Sequence, residues 1–387
     1  MAENFVKLQT KLLREYYKDF SKYAKGRLPK GKVAWVTAFT PVEILEALGI
    51  DYYYPESYAA VIAASGMEQE FLKISDEMML VRDCCSYSCC FNGSLDAKDG
   101  PRGIPPKPDV LIATNNQCNT LPNWWNTLAD RYDVPLIVID YPGETLGEGR
   151  RERTAAFDYV TKQHKNLAQE MERLGGNMMD EDRLAGLIQN SRASVQAWKG
   201  AAGMLSRKKI RPTILFDNIN FLITARCKEE TAQMYDLMAS AMEKEADLTG
   251  ESIPAFWLGY PLWYHKDRYL SEVMDGFQVV GSNYLTWWDL DYRGEDIWEQ
   301  LFEAYNFTFL NLTQDSRDRR LLEAIEASGA KAAITLRNKS CKCDLVSAKN
   351  INIPQAELDM DMIDRAYLDL EKARKALELL KETVKGL

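Results

Sequence analysis

Histidine is nearly absent from this chain, with two residues, His164 and His265, in 387. That argues against a metal site built on imidazoles. No run of about 18 consecutive apolar residues occurs, so no membrane-spanning helix is expected. The opening MAENFVKLQTKLLREYYKDF carries charges throughout and reads as an amphipathic helix. A secretory signal would need a basic start followed by an apolar run, so a cytoplasmic location is expected. A basic surplus is also missing: 48 Lys and Arg face 57 Asp and Glu, for a net charge of -9. Nucleic acid is therefore not the expected partner, because phosphate binding needs a basic surface. No G-x-x-x-x-G-K-[ST] run is present, so no ATP site is expected on this chain. Paired C-x2-C spacings, the signature of structural zinc, are lacking too.

What is present is a 46% hydrophobic chain of a length that one core rarely supports. Strand and helix signals alternate along it. KVAWVTAF, DYYYP, PDVLIATN and PLIVIDYP read as strands of a first half. After KVAWVTAF comes TPVEILEALGI, where Thr40 can cap, Pro41 takes the first helical position and Gly49 closes the helix. Residues from about Glu152 to Ser206 read as a polar helical connector. AFWLGYPLW, FQVVGSNY, FTFLNLT, KAAITLRN and NINIPQAELD then read as strands of a second half, ahead of a charged amphipathic helix from Met360 to Leu387. The pattern predicts two α/β domains with parallel sheets covered on both faces, at residues 1–205 and 206–387. No convincing internal sequence repeat joins the halves.

Eight cysteines carry the chemistry. Four lie in DCCSYSCC (Cys84, Cys85, Cys89, Cys90), two in KSCKCD (Cys341, Cys343), and Cys118 and Cys227 stand alone. A single scattered cysteine is ordinarily a small buried hydrophobe, but these are grouped. Cys118 follows the strand PDVLIATN, and Cys341 and Cys343 follow KAAITLRN. Those are the carboxyl ends of parallel strands, where open sheets collect ligands. Thiolates suit iron–sulfur clusters, zinc and copper(I). Ligands drawn from distant loops favour a cluster in a preformed cleft over zinc. A four-residue spacing on a helix would set Cys85 and Cys89 on one face.

TPVEILEALG, CSYSC followed by FNGSL, NNQCNTLPNWW with PLIVIDYP after it, and RNKSCK near the end occur here in that order. In this combination the chain resembles the 2-hydroxyacyl-CoA dehydratase and benzoyl-CoA reductase family over nearly its whole length. The resemblance implies two flavodoxin-like domains with a [4Fe-4S] cluster at their interface, held by Cys85, Cys118 and Cys341. The chain departs from the common family pattern at Cys89 and Cys343, where non-thiol residues are usual. It is most similar to the double-cubane branch, in which six cysteines hold an [8Fe-9S] cluster. Cys89 and Cys343 are added by proximity to family ligands. Cys227 is preferred as the sixth over Cys84 or Cys90, which are read as packed core thiols.

The resemblance further implies electrons from a separate ATPase carrying its own [4Fe-4S] cluster, a homodimer, and reduction of small molecules of the acetylene, azide or hydrazine type. A subunit of an acyl-CoA dehydratase or reductase with one [4Fe-4S] cluster is the alternative, and a non-catalytic electron-transfer protein is a third. Other residues are read more plainly. Glu43 is taken as a first-turn acid favouring the helix dipole. Tyr87 shields a cluster or packs. Trp124 and Trp125 wall the site or lie in the core. His265 is an exposed loop histidine, Arg337 and Lys339 are solvated, and LDMDMIDRAYLDLE is a solvated helix face.

Overall fold

The computed structural model describes residues 2–23, 25–80, 85–144, 150–250, 252–264, 274–341 and 351–386. Strands β1 (Val33–Val36), β2 (Asp51–Tyr53), β3 (Val110–Thr114) and β4 (Leu136–Ile139) form one sheet in the order β2-β1-β3-β4. Strands β5 (Ile253–Leu258), β6 (Phe277–Ser282), β7 (Ala332–Asn338) and β8 (Gln355–Met360) form another in the order β6-β5-β7-β8. Every pairing is parallel. Counted within its own half, each sheet runs 2-1-3-4, the doubly wound order of flavodoxin-like domains. The two halves thus repeat a topology without repeating a sequence.

Burial explains the strand compositions. VAWV of β1 and VLIAT of β3 are buried at every position, as a parallel strand covered on both faces must be. At the sheet edge, QAELDM of β8 alternates instead, with Glu357 and Asp359 outward. Gly49 closes the helix Val42–Ala47 in the left-handed region, φ 70°. The start of that helix differs from expectation. The cap position falls on Pro41, and the Thr40 hydroxyl meets the Thr37 hydroxyl at 3.1 Å. The helices Arg150–Leu174 and Glu181–Ala202 supply the polar connector.

FTFLNLT does not form the expected strand. Phe309–Asn311 is a short 3-10 turn, and the segment's polar groups reach into the first half. The Thr308 hydroxyl donates to the Asn116 carbonyl at 3.1 Å, and the Asn311 amide donates to that of Tyr141 at 3.2 Å. Just upstream, Asn306 accepts from the Gly143 amide at 3.0 Å. These bonds replace a sheet ladder with a clasp between halves.

Glu43 also departs from its reading. It is 0% exposed, and its carboxylate is enclosed by partners from the second half and the connector as well as its own helix start. It accepts from Arg226 Nε at 3.1 Å, the Ser191 hydroxyl at 2.7 Å, the Tyr292 hydroxyl at 2.8 Å and the Tyr305 hydroxyl at 2.6 Å. Arg226, 1% exposed, also donates to the Thr40 carbonyl at 2.8 Å. Burial alone would raise the Glu43 carboxyl, but the Arg226 charge and the Tyr305 and Ser191 hydroxyls hold it below its ordinary value.

Removing one member leaves the other charge buried and unpaired. Arg226→Met is therefore expected to destabilise the fold by about 3–5 kcal/mol in denaturant unfolding. A carboxyl depressed on folding stabilises above its unfolded value of about 4.3, and that stabilisation is lost as pH falls through the folded value. Glu43→Gln should lack this acid-side loss.

Candidate metal centre

In each sheet the strand order reverses beside its first strand, so the ligand crevice lies off the carboxyl ends of β1 and β3, and of β5 and β7. The two crevices are one cavity of about 230 Å³. Ala38 and Phe39 enter it after β1, and Gln117 and Cys118 after β3. Tyr260 and Trp263 enter after β5, and Ser340 and Cys341 after β7. The helix Ser86–Ala97 adds Cys85 and Tyr87 from its N-terminal end. That helix sits close to the helix Glu68–Glu77 because Gly93 has no side chain: a Cβ there would lie 1.9 Å from the Phe71 carbonyl oxygen.

Cys85, Cys118 and Cys341 therefore line one cavity, from three loops and both halves. Cys85 is the helix cap residue, in extended backbone (φ -171°, ψ 110°) rather than within the helix. The Cys89 amide donates to the Cys85 carbonyl at 3.1 Å. Cys89 is buried one turn inside the helix, and among the described residues lining the cavity it is not included. Cys227 is not included either: it is buried just before the helix Glu229–Met242, and the Ser191 hydroxyl approaches its sulfur at 3.6 Å, beside Glu43. Cys90 is a core thiol, as expected. Cys343, Cys84 and His265 lie outside the described residues.

Burial pushes the Cys85 thiol well above its ordinary value, and the neighbouring Cys118, Glu56 and Cys89 push it the same way. Such thiols stay neutral until a cation arrives to stabilise thiolate. Among the described residues, no three His, Cys, Asp or Glu side chains are gathered closely enough to hold a single metal ion. The thiols stand around a space, and soft sulfur donors on the wall of a space fit an iron–sulfur cluster.

Glu56 is the residue that sequence reasoning missed. It lines the cavity two positions into the helix Pro55–Ala64. Its carboxylate accepts from the Ala38 amide at 2.9 Å and the Gln117 side-chain amide at 3.2 Å. Burial outweighs those two bonds and raises it to about 7. In the sequence it is one first-turn acid among several, and only the fold turns it toward the thiols. The remaining candidates sort cleanly. Tyr87 lines the cavity and accepts from Trp263 Nε1. Trp124 lines it too, whereas Trp125 lies in the core and donates to the Trp35 carbonyl at 3.2 Å. Arg337 pairs with Glu357 and Asp359 on the surface, and the Lys339 ammonium lies 3.8 Å over the Tyr367 ring. His164 is buried, hydrogen-bonded to the Tyr141 hydroxyl at 2.8 Å, and lowered by burial to about 3.

A paired α/β architecture with a thiol-lined cavity between its switch points defines a class of two-domain site proteins. Comparison with known proteins gives the family: the chain belongs to that of the 2-hydroxyglutaryl-CoA dehydratase D-component, which matches residues 37–383. It is 27% identical over 324 residues to the (R)-phenyllactyl-CoA dehydratase alpha subunit of Clostridium sporogenes, covering 80% of this chain and 77% of the relative. It is 26% identical over 376 residues to the lactoyl-CoA dehydratase subunit alpha of Anaerotignum propionicum, covering 88% and 87%. A benzoyl-CoA reductase component of Thauera aromatica is 26% identical over 224 residues, covering 52% and 50%.

The raised Glu56 carboxyl has a direct signature. Difference infrared spectra should show a protonated-carboxyl band that disappears near pH 7 and is missing in Glu56→Gln. Because folding raises this group, its ionisation opposes folding as pH climbs from its unfolded value toward about 7. Glu56→Gln should therefore gain stability relative to the parent protein above that range.

Proposed function

We propose that this chain holds an iron–sulfur cluster in the cavity and works as the catalytic component of a low-potential, ATP-driven reductase. The convergence of Cys85, Cys118 and Cys341 on one cavity supports the reading above all. Once bound, the cluster supplies one-electron reduction at low potential. The chain's own residues do the rest. Tyr87 and Trp263, joined to each other, close the wall beside Cys85 and Cys341. Glu56 keeps its proton near neutrality and can deliver it to a molecule being reduced. With no phosphate-binding loop here, ATP is hydrolysed on a separate partner that carries its own [4Fe-4S] cluster. The chain acts as a cytoplasmic homodimer.

The cluster is proposed as the [8Fe-9S] double cubane, with Cys85, Cys89, Cys118, Cys227, Cys341 and Cys343 as ligands. The cysteine pattern of the sequence supports this. Cys89 and Cys343 add thiols next to Cys85 and Cys341, at positions where the family commonly has none. With this cluster filling the cavity, the substrate is proposed as a small molecule of the acetylene, azide or hydrazine type rather than an acyl thioester. Cys227 would have to leave its Ser191 contact to serve as the sixth ligand. The relatives' names favour a second reading, a component of an acyl-CoA dehydratase or reductase with one [4Fe-4S] cluster.

Anaerobic purification with iron and sulfide counts separates the readings. About eight irons per chain is expected, about four would favour the single cluster, and none would sink both. Cys118→Ala should abolish iron binding, while Cys89→Ala should lower the count to about half with the fold retained. A Cys89→Ala protein with its full iron complement would remove the double cubane.

A further inference from the structure

In sequence the acidic stretch around Asp361 has the look of a solvated face, yet Asp361 is fully buried, just past the end of β8. Its carboxylate is saturated with donors. One oxygen accepts from the Ile363 and Asp364 amides at 3.0 and 2.9 Å. The other accepts from the Ser340 amide at 3.2 Å and from the Ser340 hydroxyl. The Ser340 and Ser86 hydroxyls, both buried, lie 2.9 Å apart. The Ser340 hydroxyl is the donor toward both the Asp361 carboxylate and the Ser86 hydroxyl, so its one proton is shared between them with the carboxylate the stronger acceptor. Ser340 immediately precedes Cys341, and Ser86 immediately follows Cys85. The chain Asp361–Ser340–Ser86 therefore ties together two thiol loops that are 254 residues apart at their serines.

We propose that Asp361 is a positioning residue for the metal centre, which acts through Ser340 and Ser86 to fix the separation of the Cys85 and Cys341 sulfurs. The inference rests on the cluster reading above. A loop bearing a ligand can otherwise swing on its single-strand tether, and a cluster whose ligands swing releases its iron more readily. Asp361 tethers the loop after β7 on two atoms of Ser340, and Ser86 carries that restraint across to the helix that presents Cys85. Asp364 provides an internal contrast. It is equally buried three residues on, but its carboxylate accepts from the Gln69 amide at 2.7 Å and the Ala366 amide at 3.0 Å. The first of these joins the halves through the helix Glu68–Glu77, which carries no thiol, and the second is a local turn contact.

The test uses anaerobically prepared, iron-loaded full-length protein and two readouts: the rate of iron release to a chelator, and the electron paramagnetic resonance spectrum of the reduced protein. Ser340→Ala and Asp361→Asn should each release iron about tenfold faster, the scale of one lost hydrogen bond, and should change the spectrum. Ser340→Thr, which keeps the hydroxyl, and Asp364→Asn should match the parent protein in both. Should Asp361→Asn fail to fold, Ser340→Ala and Ser86→Ala decide the matter. A Ser340→Ala protein with parental release and spectrum, or an Asp364→Asn protein altered as much as Asp361→Asn, overturns the proposal. Parent protein that binds no iron overturns the cluster reading and this inference together, whereas iron-loaded parent with unaffected variants overturns this inference alone.

Discussion

Arg226 and Glu43 are buried against each other, and this pairing joins the two halves that supply Cys85, Cys118 and Cys341 to one cavity. Neither charge can be placed there without the other. The hydroxyls of Ser191, Tyr292 and Tyr305 then complete the carboxylate, and the Thr40 carbonyl accepts a hydrogen bond from Arg226. Thr40 belongs to the loop after β1, at the first half's crevice, and Arg226 precedes the helix Glu229–Met242. A satisfied ion pair with directional hydrogen bonds fixes a relative orientation in a way that apolar contact, which tolerates sliding, does not. Thiols contributed by opposite halves can share one cavity only if that orientation is held.

Glu43 and Glu56 show how one half sets two carboxyls to different tasks. Both are enclosed by protein, and burial pushes both upward. Glu43 meets a guanidinium and is held ionised, whereas Glu56 meets neutral N–H donors and is raised to about 7. The first is thereby committed to architecture. The second, facing the cavity, is left with a proton it can give up near neutral pH.

Much of the fold was legible from pattern alone. Continuous apolar runs such as VAWV and VLIAT identify strands buried on both faces, and the alternation with helices implies parallel sheets. The positions of Cys118 and Cys341 after strands placed them at a crevice without any structural knowledge. What stayed illegible was set by tertiary partners. FTFLNLT has strand composition, but Thr308 and Asn311 bond to loops of the other half. Glu43, Glu56 and Asp361 look like solvated acids because nothing local marks them. Their partners lie 183, 61 and 21 residues away at Arg226, Gln117 and Ser340. The Cys85–Cys89 spacing was read as one helical face, yet Cys85 is a cap with extended backbone, since a four-residue spacing cannot say where a helix begins.

The repeated strand order has a further consequence. Cys118 and Cys341 each follow the third strand of their own half, so they occupy equivalent stations in the repeated topology. Cys85 lies on the segment between the second and third strands of the first half. The equivalent stretch of the second half offers Tyr284, Trp287 and Trp288 to the same cavity and no sulfur. The wall is therefore unequal by origin: the first half supplies Cys85 and Cys118, and the second supplies Cys341 together with the Tyr284, Trp287 and Trp288 rings. A repeated topology thus frames a chamber to which its two halves contribute unlike chemistry.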